Sequence, residues 1–383
     1  SHDLSIKDNG KNIDRLKTQQ KVLPLHIPLV TASDFQEIKS AVEIPAPAKT
    51  GLESHISVFF SSSVLGSKVS IQEWMKQYPY NCLEQQTARL VVLNEKAHKA
   101  KLFKELPLYQ DGDGLLRYYP SEQAHGSAVL TAHLLEMNYW AKLGVSQDIL
   151  TKAEKALVRI YRGELAESGW MDKTWHEQVK LHALATLFLI ESPEAKAQLA
   201  TAVKPDLARD TLGSLVDKWV IFTKTNRQAE REAVLQDLAR RFEVSSAKME
   251  LKERPEDRNF WLLSTSTSQF ARFLLLAKKI GLTPSLEAIY KGQEPKWLRG
   301  FAKLKTNGHN GETLPNAYAY LVHTTYTTLA PTGKSIVNKQ AYTWPGTGAA
   351  LKVSREEIFA PLKISHQGSG VPYADVQYFN FLD

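Results

Sequence analysis

The sequence predicts a mainly α-helical protein in which a long helical region is inserted into a small β domain. Up to residue 65 the chain shows short strand patterns separated by prolines and glycines. From Ser70 to Leu329 the apolar residues instead recur with the period of helices. Strand patterns return after Pro331, and each terminal stretch is too short to fold alone. We therefore expect residues 1–65 and 331–383 to pair into a single small sheet, with residues 66–330 as the helical domain.

The size and composition of the chain are those of a globular protein with two structural units. Its 383 residues exceed what one hydrophobic core usually covers, and 43% of them are apolar and 23% charged. The formal net charge is +7, but the basic residues are dispersed among acids, as in Glu95-Lys96 and Lys104-Glu105. This dispersion argues against nucleic-acid binding, which needs a concentrated basic face. No apolar run is long enough to span a bilayer, and a single cysteine rules out an internal disulfide bond.

Short strands are predicted on both sides of the helical region. Val22–Val30 contains two prolines, which suits an edge strand because proline cannot donate a hydrogen bond to a neighbouring strand. The other predicted strands are Ala41–Ile44, His55–Phe60, Ser335–Trp344, Ala350–Val353 and Leu362–Ser365. Prolines and glycines mark the turns between them. An order of strands, helices and strands is typical of one domain inserted into another.

The helical region divides into about ten helices joined by short turns. Ser121 is predicted to cap a long helix that Gly144 ends, and a second helix runs from Ser146 to Arg162. Thr174 opens a third. Further helices are predicted after Cys82, near Glu73 and Lys296, and over Asp206–Thr223, Arg227–Arg241, Ser266–Ile280 and Thr313–Leu329. Similar turns recur before several helices, which indicates helical hairpins stacked into a closed ring or a solenoid.

The only cysteine of the chain, Cys82, is followed three residues later by Gln85. Pro79 stops any preceding helix and Asn81 suits a helix cap or a positive φ angle, so we expect Cys82 to begin a helix. Residues i and i+3 share a face of a helix, which brings the Gln85 carboxamide to the Cys82 thiol and points Gln86 elsewhere. The thiol can then displace ammonia from the carboxamide and leave a cyclic thioester, which is an acylating group.

Two features of the flanking residues bear on that chemistry. The aligned N–H groups at a helix N-terminus are expected to lower the pKa of the Cys82 thiol. Tyr78 and Tyr80 are large, flat side chains suited to keeping water away from a thioester. The sequence therefore predicts a reactive thiol that is covered by aromatic groups.

Two other interpretations of the same region stay open. In the first, Cys82 is a buried, inert cysteine and the helical region is a scaffold or docking surface. In the second, the protein is a hydrolase that uses Cys82 with a histidine base, or a pair of carboxylates. The candidate bases are His125, His133, His176 and His182, and the candidate carboxylates are Glu177, Glu232 and Asp237. No Gly-rich phosphate loop and no metal-ligand spacing is present, so we expect no cofactor.

The stretch from Tyr78 to Gln85, Tyr-Pro-Tyr-Asn-Cys-Leu-Glu-Gln, closely resembles the thioester motif of bacterial alpha-2-macroglobulins. That motif usually has glycine where this chain has Asn81, and asparagine tolerates a positive φ angle better than most residues. Glu84 belongs to the motif, although its spacing assigns it no chemical role. Three later segments also resemble parts of that family, namely two late helices of its thioester domain and the closing strand of its CUB-like domain: Thr267–Leu276, Thr313–Leu329 and Leu362–Tyr373.

The resemblance implies a fold, a function and a location. The fold is an α/α toroid of paired helices inserted into a CUB-like β-sandwich made from both ends of the chain. The function is that of a single-use protease inhibitor rather than an enzyme: a protease cuts a bait segment, and the thioester of Cys82 and Gln85 acylates a lysine amine of the attacker. Tyr78 and Tyr80 match positions that shield the thioester. The implied partners are target proteases and the remaining macroglobulin domains, and the implied location is the periplasm, with a lipid anchor to the inner membrane outside this chain.

Overall fold

The computed structural model of this protein describes residues 2–8, 11–18, 29–46, 54–66, 68–166, 173–206, 209–244, 249–257, 259, 262–282, 287, 293–305, 309–326, 331–344, 350–353, 357–358 and 360–380. Their helices are α1 (Val69–Gln77), α2 (Leu83–Leu93), α3 (Lys96–Tyr109), α4 (Ala128–Ala141), α5 (Gln147–Arg162), α6 (Lys173–Leu189), α7 (Leu212–Lys224), α8 (Gln228–Arg240), α9 (Ser266–Ile280), α10 (Glu294–Ala302) and α11 (Thr313–Thr325). Their strands are β1 (His2–Asp8), β2 (Lys11–Thr18), β3 (Leu29–Glu37), β4 (Val42–Ile44), β5 (His55–Ser61), β6 (Phe242–Val244), β7 (Met249–Leu251), β8 (Gly333–Val337), β9 (Gln340–Trp344), β10 (Ala350–Val353), β11 (Leu362–Gln367) and β12 (Tyr373–Asn380).

Strands that precede the helices pair with strands that follow them. One four-stranded sheet has the order β10, β5, β12 and β3, and a second has the order β4, β11, β8 and β9. All neighbouring strands in both sheets are antiparallel. The two ends of the chain therefore pair with each other as predicted, but the expectation of a single sheet is wrong. A separate hairpin, β1 with β2, lies outside both sheets.

The two four-stranded sheets share one hydrophobic core. Val58 and Phe60 of β5 are buried in the same cluster as Ile364 of β11 and Trp344 of β9. The ring of Phe60 lies 5.6 Å from that of Tyr342 in β9, measured between ring centres. One small sheet would leave an apolar face in water, whereas two sheets packed face to face bury both inner faces.

Several helices have the predicted bounds, but the start of α4 differs. α9 matches its prediction, and α5 begins after Ser146 as expected. The N-cap of α4 is Ser127 rather than Ser121, because the Ser127 hydroxyl oxygen accepts the backbone N–H of Leu130 at 3.3 Å. The earlier serine belongs to a turn that precedes the helix.

The end of α4 and the start of α7 also differ from the prediction. Lys142, not Gly144, follows the last residue of α4, and it takes the left-handed conformation that commonly ends helices. α7 begins after Thr211 instead of at Asp206, since the Thr211 hydroxyl accepts the N–H of Ser214. Polar residues that can cap a helix occur at both places, and the pattern alone does not choose between them.

Other predicted segments are partly outside the described residues or differ in detail. Residues 22–28 and 327–329 lie outside them, while Leu29 and Val30 begin β3. The segment predicted as one strand at Ser335–Trp344 is the hairpin of β8 and β9. Leu362–Tyr373 likewise covers β11 and the start of a separate strand, β12. The hairpin of β6 and β7, inside the helical region, was not predicted.

Six helices contact one another in sequence. α2 packs against α4, α4 against α6, α6 against α7, α7 against α9, α9 against α11, and α11 against α2. One continuous hydrophobic cluster contains a buried residue from each of them: Leu83, Leu130, Leu184, Trp219, Leu274 and Ala317. No helix in the part of the chain that the structure describes is long and apolar enough to cross a membrane.

Candidate functional site

Cys82 lies at the junction between α1 and α2. α1 ends at Gln77, Tyr78 has an extended backbone, and Cys82 is the N-cap residue of α2. Leu83 begins the helix proper, so Cys82 begins a helix as the sequence predicts. The side chain of Cys82 is a free thiol and the residue is 7% exposed.

Cys82 and Gln85 cap the helix reciprocally. The Cys82 backbone N–H donates to Gln85 Oε1 over 2.9 Å, and the Cys82 side chain accepts the backbone N–H of Gln85. This is the capping-box arrangement, with sulfur in the place of a serine or threonine hydroxyl. Both side chains therefore lie on the first turn of α2, and each reaches the backbone of the other residue.

Gln86 takes no part in this arrangement. Its Nε2 donates to the Asn81 carbonyl and to the Tyr109 hydroxyl, each over 2.9 Å. Its carboxamide is held on the side of the helix that faces α3, which leaves Gln85 as the carboxamide on the Cys82 turn. The two glutamines therefore lie on different sides of the helix, as the i, i+3 spacing of Cys82 and Gln85 predicts.

The expectation for Asn81 is wrong. It is exposed, it is not the cap of α2, and its φ angle is not positive. Because Asn81 does not take a positive φ angle, the difference from the glycine of the usual motif places no such strain on this turn.

The thiol pKa also departs from the expectation. The pKa of Cys82 is raised to about 11, mainly by burial and to a smaller extent by the negative charge of Glu84. The backbone N–H groups of Gln85 and Glu84 lower it, but by less. A helix N-terminus stabilises a thiolate, yet the loss of hydration in a nearly closed site outweighs that effect. A free Cys82 side chain is therefore protonated at neutral pH.

Tyr78 contacts Gln85 directly, and Tyr80 packs on the outside of Tyr78. The Tyr78 hydroxyl accepts Gln85 Nε2 over 3.5 Å, and the Tyr78 ring packs against Trp74 with centres 4.8 Å apart. Arg89 donates to the Tyr78 carbonyl, which holds the connecting segment to α2. Tyr80 is 64% exposed and meets Tyr78 edge-on at 5.5 Å, so it forms the outer layer.

Glu84 lies on the inner side of the same turn and is 7% exposed. Both of its carboxyl oxygens lie 2.9 Å from the hydroxyl oxygen of Thr313, the first residue of α11. Burial raises the pKa of Glu84 to about 7, although the Thr313 hydrogen bond opposes the shift. The contact joins residues that are 229 positions apart, so the spacing within the motif gave no sign of it.

The histidines near the site are not those that the sequence singled out. Among the described residues, none of His125, His133, His176 and His182 contacts Cys82 or Gln85. Instead, His98 Nε2 lies 3.0 Å from the Gln86 carbonyl, and the His309 ring stacks on Trp74. Among the described contacts neither histidine bonds to Cys82 or Gln85, and no sequence pattern marked either one.

The candidate carboxylates are not brought together. Glu177 is exposed and pairs with Lys180, and Asp237 lies 3.8 Å from Arg240. Glu232, on the same helix as Asp237, accepts the side-chain amide of Gln236. Asp237 is buried whereas Glu177 is exposed, and the described contacts bring no two of these three carboxylates together as a catalytic pair.

A different set of carboxylates is buried between the helices. Arg272 of α9 contacts Glu136 of α4 at 2.8 Å and Asp217 of α7 at 2.7 Å. The Tyr318 hydroxyl donates to Glu136, and His182 lies 3.2 Å from Asp217. Burial would raise the pKa of both carboxyl groups, but Arg272 holds it below the usual range. Two ionised carboxylates paired with an arginine are a structural cluster and supply no acid for hydrolysis.

A cavity of about 40 Å³ adjoins this cluster and is lined by residues that include His133, His182 and Gln269. That volume has room for a few water molecules. Within the described residues, no group of three or more His, Cys, Asp or Glu side chains is arranged to hold a metal ion.

Solved structures share this architecture. A native alpha-2-macroglobulin segment from Escherichia coli, running from its domain MG7 to its C-terminus, aligns over 91% of this chain and 56% of that segment, with a TM-score of 0.64 and 14% identity. The chain has the fold of part of a bacterial alpha-2-macroglobulin. The native E. coli alpha-2-macroglobulin aligns over 98% of this chain and 24% of its own, again with a TM-score of 0.64 and 14% identity. The alpha-2-macroglobulin of Salmonella reacted with methylamine gives the same TM-score and identity over 98% and 25%.

The chain thus spans about a quarter of the length of these two longer alpha-2-macroglobulin chains. Comparison with protein-family models and with curated protein sequences gives no match. The likeness to alpha-2-macroglobulin therefore rests on the shared fold and on the residues of the Cys82 turn.

Proposed function

We propose that the chain is the thioester-bearing part of a bacterial alpha-2-macroglobulin, a protease inhibitor that couples covalently to the protease that attacks it. One observation carries this proposal: in a chain with that fold, Cys82 and Gln85 cap the same helical turn reciprocally. A thiol and a carboxamide held in this way are the two groups that an internal thioester requires.

The same proposal assigns the helices to a toroid and the strands to a CUB-like domain. The six helices that contact one another in sequence are the inner ring of an α/α toroid, supported by the return of contacts from α11 to α2. Residues 66–330 form this toroid, and residues 1–65 and 331–383 form the CUB-like domain around its insertion point, with the β1–β2 hairpin lying outside the two sheets of its β-sandwich. The mixed strand order of both sheets supports that division.

Thioester formation needs no external reagent. The Cys82 sulfur bonds to the side-chain carbonyl carbon of Gln85, the carbon–nitrogen bond breaks, and ammonia leaves with the thiol proton. A lysine amine of the protease later bonds to the same carbon, the carbon–sulfur bond breaks, and a proton from the amine returns to sulfur. The site is consumed by that step, so the protein acts once and has no turnover.

The burial of Cys82 fits such a stored group. A thiol with a high pKa is a poor leaving group, which slows attack on the thioester while the site is closed. Exposure of the turn restores hydration of the leaving sulfur, so attack on the thioester is no longer slowed. Tyr78, and Tyr80 outside it, keep water from the closed site.

The remaining parts of the proposal concern the whole protein. A protease cuts a bait segment outside this chain, and the remaining macroglobulin domains carry the movement to the thioester. The protein acts in the periplasm, tethered to the inner membrane by a lipid anchor outside this chain. The reaction of the Salmonella alpha-2-macroglobulin with methylamine, a small amine, supports the proposal that a nucleophile opens this site.

Intact mass of the full-length protein tests the proposal. A closed thioester makes the protein lighter than its sequence by one ammonia and protects Cys82 from alkylation until methylamine opens it. Gln85→Glu is the matched control, because its side chain has the same size but no ammonia to lose. A native protein with its full sequence mass and a freely alkylated Cys82 would instead favour the scaffold, and hydrolytic turnover that survives Cys82→Ala would favour the hydrolase.

A further inference from the structure

Glu84 has a contact that the thioester reaction itself does not use. It is the second residue of α2, two positions after Cys82 and one before Gln85, but its carboxyl group points towards α11. Side chains at i and i+2 of a helix do not face each other, so Glu84 is not placed to exchange a proton with Cys82 directly. Its only hydrogen-bond partner among the described residues is Thr313.

Either protonation state of Glu84 can bond to Thr313, but only the neutral carboxyl group can make two hydrogen bonds with it, and burial is what favours that neutral form. The Thr313 hydroxyl has one hydrogen, and both oxygens of Glu84 lie 2.9 Å from it. If Glu84 is ionised, one hydrogen has to serve two acceptor oxygens. If Glu84 is protonated, its O–H donates to Thr313 while the Thr313 O–H donates to the other carboxyl oxygen. The neutral form therefore satisfies both contacts with one hydrogen each.

Among the residues that the structure describes, no cation compensates a charge on Glu84. The titratable groups that interact electrostatically with it are Glu312 directly before α11, Tyr78 after α1 and Cys82 directly before α2. Among the described residues, α3 and α4, which also pack on α2, add no charged group to those that shift its pKa. The N-terminus of α2 favours a negative charge by a modest amount, which the burial of the carboxyl group outweighs.

We propose that Glu84 is a positioning residue of the Cys82–Gln85 site: its neutral carboxyl group pairs with Thr313 and holds the first turn of α2 against α11, and loss of its proton releases that turn. The inference rests on the proposed thioester function. It assigns control over the opening of the Cys82–Gln85 site to one buried carboxyl group. Because the pKa of Glu84 is raised to about 7, the fraction of neutral Glu84 falls about tenfold between pH 6 and pH 8. The closed site is therefore held more firmly in mildly acidic solution than in mildly basic solution.

The test measures opening of the thioester by methylamine in the full-length protein between pH 6 and pH 8, with the rate expressed per unprotonated amine. The wild-type rate is expected to rise by up to about tenfold over this range. Glu84→Gln, which keeps both contacts with Thr313 and cannot ionise, should be slow throughout. Thr313→Val, which removes the pairing, should be fast throughout.

Thr87→Val is the matched control for Thr313→Val. Thr87 is a buried threonine of the same helix, but its hydroxyl donates to the Leu83 carbonyl of α2 itself. This variant should keep the wild-type pH profile. If Thr87→Val and Thr313→Val have the same profile, or if Glu84→Gln keeps the wild-type profile, the inference is wrong.

Hydrogen exchange of the first-turn amides of α2 separates failure of this inference from failure of the proposed function. If the wild-type protein never loses ammonia, the thioester proposal fails, but exchange at Gln85 and Gln86 still reports on the turn. Protection of these amides, corrected for intrinsic exchange, should fall by up to about tenfold from pH 6 to pH 8 in the wild type and stay constant in Glu84→Gln. Equal protection in both proteins at both pH values would overturn the inference, whatever the state of the thioester.

Discussion

Gln85 Oε1 lies 2.9 Å from the backbone nitrogen of Cys82, while the Cys82 sulfur accepts the backbone N–H of Gln85. The residues that are proposed to react are thus also the residues that begin α2. Opening or forming the thioester would exchange one set of helix caps for another, which couples the chemistry of the site to the stability of the first turn.

Replacement of Cys82 separates its capping role from its chemistry. Cys82→Ala removes the acceptor for the Gln85 N–H and should lower the free energy of unfolding by about 1 kcal/mol. Cys82→Ser keeps an acceptor, so its free energy of unfolding should stay within about 0.5 kcal/mol of the methylamine-opened wild type. Urea unfolding measures both, and neither variant should couple to a protease. Equal losses for serine and alanine would show that the sulfur is not a cap.

The reactivity of the free Cys82 thiol should show its raised pKa. In Gln85→Glu, which forms no thioester and keeps the site closed, the alkylation rate is expected to rise about tenfold per pH unit from pH 7 to pH 10 with no plateau, because the thiolate fraction keeps growing below a pKa of about 11. Alkylation followed by mass spectrometry measures this rate. A plateau near pH 8 would mean that the helix N-terminus, not burial, controls the thiol.

The buried carboxyl group of Glu84 should make stability depend on pH. Its pKa is raised from 4.5 to about 7, so the folded protein holds this proton more tightly than the unfolded chain. Its contribution to stability is complete below about pH 4.5 and is lost as the pH rises to about 7, a change of up to about 3 kcal/mol. Denaturant unfolding of Glu84→Gln should lack this fall, whereas the exposed control Glu95→Gln should keep it.

The cluster around Arg272 should contribute to folding and not to chemistry. Arg272→Met leaves Glu136 and Asp217 buried without their cation, which is expected to cost about 3 to 5 kcal/mol. The control Arg240→Met removes an arginine whose side chain is 71% exposed and should cost little. Thermal unfolding compares the two. If Arg272→Met unfolds at the same temperature as the control, the cluster does not hold the helices together.

Gly300 should be intolerant of any side chain. A Cβ atom there would lie 1.6 Å from the Met249 carbonyl oxygen, so α10 could not pack on β7 without a backbone shift. Gly300→Ala should destabilise the protein by about 1 to 3 kcal/mol. Gly112→Ala is the control, since a Cβ at Gly112 meets no atom within 4 Å. Equal melting temperatures for the two variants would contradict the close approach of α10 to β7.

The predicted helix ends are wrong where several nearby residues could serve as caps. Asp206 and Thr211 are both competent caps for α7, and the choice between them follows from distant contacts: Asp257 accepts the N–H of Leu212, and Lys218 pairs with Asp210 in a buried ion pair. α5, in contrast, begins directly after Ser146 as predicted, although the Ser146 side chain makes no capping hydrogen bond. Local signals fail where packing selects among several candidates.

Sequence by itself determined that Cys82 and Gln85 share one helical turn, because a separation of three residues decides that geometry wherever a helix begins. It also determined that strands from the two ends pair. Only the tertiary structure decided that Cys82 is buried with a raised pKa, that Glu84 meets Thr313, and that the strands form two sheets instead of one. These properties depend on which distant segments exclude water from a side chain, and the spacing of neighbours along the chain carries no information about that.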